Sequence, residues 1–148
     1  MNESRMAAPG NPIVVTHDSG VRFAIRIRSH ELFVDQTVNG GGCDSAPTPV
    51  ELLGASLGGC IAYYVHHFFH TRGLPAEGVR VEVSQTSSRD PHRVESFSVT
   101  VSLPRDIPDR YLPLIRRVIE ACPAHNTLTM GAKVAVKVEE PVAELVGS

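Results

Sequence analysis

The chain has 148 residues, 42% of them hydrophobic, with a formal charge of −2 and a pI near 6.4. A domain of this length buries a core without staples, and its near-neutral balance gives no electrostatic case for nucleic acid or an anionic membrane as partner. No apolar run reaches spanning length without polar interruption, and three widely spaced cysteines do not make a secreted disulfide framework, so a cytoplasmic setting is expected.

Residues 1–11 lack an apolar signal-peptide core and read as a tail, leaving 12–148 as a single domain. Ile13–His17 is a β-branched run closed by the turn Asp18-Ser19-Gly20. Val21–Arg28 alternates with period two, placing Phe23, Ile25 and Ile27 on one face and Arg22, Arg26 and Arg28 on the other. Glu31–Asp35 completes a three-stranded meander. Thr37–Ala46 is a Gly-rich loop without the Lys-Ser/Thr of a phosphate cradle, and Cys43 within it reads as non-catalytic.

Pro47–Arg72 reads as one long helix, capped by Thr48, with proline in its first turn and Gly73 and Pro75 beyond its end. It would span roughly 36 Å. Apolar or small residues fall on every face and Glu51 is the one charge in its first two-thirds, so burial all round is expected, with a partner subunit over the side that one sheet leaves open. Gly58 and Gly59 each cost about 1 kcal/mol against alanine inside a helix, which points to a close backbone approach. Gly78–Ser87 and His92–Leu103 form a hairpin; Asp109–Ala121 is an amphipathic helix carrying Leu112, Ile115, Val118 and Ile119 on its stripe. Ala124–Met130 reads as a short helical turn and Ala132–Glu140 as a final strand. The order βββ-α-ββ-α-β indicates an α+β fold.

Cys60 lies mid-helix after the two glycines, and Cys122 lies at a helix end held by Pro123. Both types of position also suit cysteine packing as a small hydrophobe. The combination of Pro47-Thr48-Pro49-Val50-Glu51-Leu52-Leu53 ahead of Cys60 with Glu120-Ala-Cys-Pro-Ala-His-Asn-Thr-Leu128 resembles the OsmC/Ohr family of osmotically inducible and organic-hydroperoxide-resistance proteins. The likeness extends through Leu32–Asp35, the long helix, Arg72-Gly73-Leu74 and the strand order, over about residues 13–140. It implies an OsmC-like α+β fold, with antiparallel sheets packed on a long central helix, in an intertwined homodimer with sites at the interface. It also implies a thiol-dependent peroxidase acting on organic hydroperoxides without a bound cofactor, with Cys60 peroxidatic and Cys122 resolving. A dithiol such as lipoamide on a carrier protein is the implied reductant.

Cys60 is too far from its helix start for the dipole there to favour a thiolate, so a cation is needed. The resemblance implies an arginine positioned by a glutamate. Arg22, Arg26 and Arg28 are the candidates, each with a solvated strand face as the plainer fate. In the family the glutamate directly follows the proline; here Val50 takes that place and Glu51 comes one residue later. Nine residues put Glu51 about 180° around the helix from Cys60, so it serves only through a kink at Gly58-Gly59 or across a dimer.

Tyr63 and Tyr64, three and four residues past Cys60, suit packing or a hydrogen bond to a peroxide oxygen. His66 and His70 share a face at a spacing known from zinc sites, yet with His67 they fit a polar collar where the helix meets solvent. A metal set of Cys60, Cys122 and His125 rests on CxxH spacing alone. A non-catalytic small-molecule or metal-binding relative is therefore the alternative function. Ser56 and Cys60 lack a nucleophile elbow, which speaks against a hydrolase.

Overall fold

A computed structural model describes residues 10–141. The expected tail falls outside the described residues over 1–9, as does the domain's end over 142–148. The fold is α+β, with antiparallel sheets: β1 (Val14–Ser19), β2 (Arg22–Ile27) and β3 (His30–Val34) form a meander, and β4 (Arg80–Arg89) pairs with β5 (His92–Ser102). Between the sheets lies α1 (Pro49–His70); α2 (Leu112–Glu120) and α3 (Pro123–Met130) follow β5.

The sequence signals at both ends of α1 operate as expected. Thr48 Oγ1 accepts from the Glu51 amide at 3.2 Å while the Glu51 carboxylate accepts from the Thr48 amide at 2.7 Å, a reciprocal capping box. At the far end Gly73 takes a left-handed φ of 63°, and the Leu74 amide donates to the Phe69 carbonyl to close the last turn.

Only one face of α1 is buried in this chain. Leu57, Ile61, Val65, Phe68 and Phe69 form the core with Ile115 of α2 and with Cys122; Val81, Val83, Phe97, Val99 and Val101 of the hairpin pack against it. Gly54 and Gly58 allow the close approach of β4: a Cβ would stand 3.0 Å from Gln85 Oε1 at the first and 3.0 Å from Val83 Cγ2 at the second. Gly59 meets nothing within 4 Å. Its face, with Ala55, Ser56, Tyr63 and His66, is exposed, and this is the open side that the sequence reading left for a partner subunit.

Three expectations change. The helix expected at Asp109–Ala121 opens with a 3-10 turn, Asp109–Tyr111, because Pro113 has no amide to bond back to Asp109. The expected turn at Ala124–Met130 is an eight-residue helix begun by Pro123. Residues 132–140, expected as a strand, have no regular secondary structure; Val134, Val136 and Val138 are more than 80% exposed. Among the described residues no strand pairs with them, and alternation alone does not hold a strand.

Asp35 explains the Gly-rich loop. Buried at the end of β3, its carboxylate accepts from the amides of Gln36, Cys43 and Ser45 and from Ser45 Oγ. These bonds hold its pKa at about 2, against the usual 3.8. A Cβ at Gly42 would overlap the Gln36 carbonyl, so glycine is required there.

Candidate functional site

Cys60 is three residues after Leu57 and directly before Ile61, so helix phase sets it beside the buried stripe, half-exposed. Cys122 is the N-cap of α3 and fully buried. The chain turn between α2 and α3, fixed by Pro123, carries Cys122 onto α1, where it packs in the core against which Cys60 lies and is close enough to influence the Cys60 thiol. Both are free thiols, as is the exposed Cys43 in its loop.

Burial raises the Cys60 pKa above the usual thiol value; the Cys122 thiol raises it further, and the Ala124 amide, hydrogen-bonded to the Cys60 sulfur, opposes both. Ala124 is the second residue of α3, so an N-terminal amide of that helix points at the thiol. Nothing in the spacing around Cys60 announced this donor. Proline one residue past Cys122 was the available signal, since proline favours the first position of a helix.

Two of the three arginines expected to serve Cys60 are engaged elsewhere. Arg22 pairs with Asp18 at 3.1 Å, reaches Ser45 Oγ and lies over the Phe33 ring; Arg26 pairs with Glu31 at 3.0 Å. Arg28 occupies the β2–β3 turn with φ of 55°. None of the three is among the groups that shift Cys60. Glu51 is spent on the capping box and lies in a second groove of about 480 Å³, between α1 and β4, lined by Gly58, Gly59, Val81 and Val83. The helix is continuous through Gly58-Gly59, so no kink turns Glu51 toward Cys60.

An apolar groove of about 760 Å³ runs beside the cysteine face of α1. Val50, Leu53, Leu57 and Ile61 form one wall; Arg93, Glu95, Phe97 and Val99 of β5, Ile119, and His125 and Leu128 of α3 form the rest. Val50, the residue at the family's glutamate position, is thus part of an apolar wall. Tyr64 packs against the core near the thiols, while Tyr63 is exposed and stacks on His67. His66 and His70 are exposed, with parallel rings 6.1 Å apart, consistent with a polar collar. Cys60, Cys122 and His125 do not gather as metal ligands; among the described residues no group of three or more His, Cys, Asp or Glu side chains is placed to hold an ion.

The profile of the family described as OsmC-like protein matches residues 41–137. The chain belongs to the OsmC-like protein family. Solved OsmC-like structures share its fold. A protein of Psychrobacter arcticus 273-4, described as a candidate osmotic stress induced and detoxification response protein, superposes with a TM-score of 0.74 at 19% identity, covering 82% of this chain and 90% of its own. An OsmC-like protein of Mycoplasma pneumoniae gives 0.71 at 14% identity, over 83% and 89%. An organic hydroperoxide resistance protein of Elizabethkingia anophelis gives 0.59 at 17%, over 82% and 90%. No curated protein sequence matched the chain. No helix among the described residues of this OsmC-like protein is long and apolar enough to cross a membrane.

Proposed function

We propose that this protein is a thiol-dependent peroxidase that reduces organic hydroperoxides in the cytoplasm as part of oxidative-stress defence. The observation that carries the reading is the contact between Cys60 and Cys122, two thiols distant in sequence and adjacent in the fold. The Cys60 thiolate attacks the terminal peroxide oxygen; the S–O bond forms, the O–O bond breaks, and an alcohol leaves. Cys122 then attacks the sulfenic sulfur, the S–S bond forms, and water leaves. A dithiol, such as a lipoyl group on a carrier protein, returns two electrons. The organic part of the substrate lies in the apolar groove, with Tyr64 or Tyr63 near the peroxide.

A homodimer completes the site. The exposed face of α1, the three-stranded sheet and the extended 132–140 segment are the surfaces a second copy covers, and its Arg26 or Arg28 is the cation that Cys60 lacks in one chain. Glu51 acts in that arrangement across the interface. Membership of the OsmC-like family and the name of the Elizabethkingia relative support the reading.

Turnover tests it. With a dithiol present, the wild type consumes cumene hydroperoxide continuously, Cys60→Ser consumes none, and Cys122→Ser stalls after one equivalent. A Cys60→Ser variant as fast as the wild type would sink the proposal.

A further inference from the structure

Resting on that peroxidase reading, we propose that His125 is the general acid of the peroxide step, protonating the alkoxide that departs when the O–O bond breaks. His125 directly follows Ala124, whose amide meets the Cys60 sulfur. It is half-buried and lines the apolar groove together with Leu57 and Ile61, the residues that flank Cys60 on α1. A hydroperoxide whose organic part lies in this groove, as proposed above, is therefore held beside the imidazole.

The chemistry calls for a donor there. An alkoxide is a strong base, and releasing it uncompensated against an apolar wall is costly. Of the groups that line the groove with the imidazole, β5 contributes Arg93 and Glu95, and α2 contributes Ile119. His125 is the lining group whose two ring nitrogens can both take up and hand on a proton. Its Nδ1 is turned to Asn126 Oδ1 in a long 3.5 Å contact, which leaves Nε2 as the nitrogen for the substrate.

In an in-line displacement the departing oxygen lies beyond the attacked one, so its acid belongs roughly 6 Å from sulfur, outside metal-ligand reach. Cys60, Cys122 and His125 indeed do not form a ligand set. The protons balance within the site. The Cys60 thiol gives its proton to His125 as the thiolate forms, and the imidazolium returns it to the alkoxide; the sulfenic acid keeps the terminal OH of the peroxide. Neutral His125 then takes the Cys122 thiol proton as that sulfur attacks, and supplies it to the departing hydroxide to make water.

Leaving-group dependence separates this role from a structural one. Cumene hydroperoxide expels an alkoxide, whereas peracetic acid expels acetate, which needs no proton. In stopped-flow oxidation of the reduced full-length chain, His125→Ala and His125→Gln are expected to slow cumene hydroperoxide about 100-fold and peracetic acid only a fewfold at most. Equal slowing of both oxidants, or slowing of neither, overturns the assignment while leaving the peroxidase reading intact. A wild type inert to cumene hydroperoxide overturns both.

Discussion

Strands β4 and β5 turn Val81, Val83, Phe97 and Val99 onto α1 and half-bury them, whereas β1 to β3, built on a similar alternation, leave Val15 at 54%, Phe23 at 38% and Leu32 at 45% exposed. The difference lies in what each sheet has opposite it. The hairpin meets a helix whose glycines, Gly54 and Gly58, let the strand approach; the three-stranded sheet packs extensively only with its own strands. Residues 132–140 share the fate of the latter. Alternation specifies that a strand has an apolar face, and a second element decides whether that face is buried. In this molecule the self-contained body holds both Cys60 and Cys122, and the uncovered sheet holds the arginines proposed to serve Cys60.

Substitutions on the two sides sharpen the contrast. Phe69→Ala empties a fully buried site and should cost about 3–5 kcal/mol in urea denaturation, while Phe23→Ala should cost far less in a single chain. A concentration-dependent loss for Phe23→Ala would place that face beneath a second copy. Next in size, Gly58→Val forces a side chain into Val83 and should cost about 1–3 kcal/mol. Its neighbour is the control: Gly59→Ala should stabilise an isolated chain by up to about 1 kcal/mol, and destabilisation instead would mean that another helix lies against Gly59.

Asp35 gives a pH-dependent test within the uncovered half. Its folded pKa, about 2, lies below the ordinary 3.8, so the proton binds more readily to the unfolded chain. Its contribution is complete above about pH 4 and disappears as pH falls toward 2. Denaturation across that window should show this acid-sensitive component in the wild type and lack it in Asp35→Asn. The smallest effect belongs to Val136→Asp, which should lie within about 0.5 kcal/mol at protein concentrations that keep the chain monomeric. Sedimentation at higher concentration would reveal a weakened dimer if this segment joins a partner's sheet.

Much of the body was legible before the structure. Thr48, Glu51 and Gly73 marked the ends of α1, and the two cysteine motifs named the pair that the fold brings into contact. What remained hidden depends on through-space partners. The Ala124 amide at Cys60 arises from the α2–α3 turn, and the anchoring of the loop by Asp35 arises from bonds to residues eight and ten positions away. Gly54 was as close to β4 as Gly58, but without a doubled glycine it carried no signal. The strand expected at 132–140 failed for a related reason: its sequence encodes a face and not the edge it would join.

The central claim is that Cys60 and Cys122 are a working pair. Reduced protein treated with one equivalent of cumene hydroperoxide, quenched by alkylation and digested, should yield a Cys60–Cys122 disulfide within seconds, with Cys43 alkylated. Cys60 recovered alkylated with the hydroperoxide unconsumed, or a disulfide that joins Cys43 instead, would contradict it.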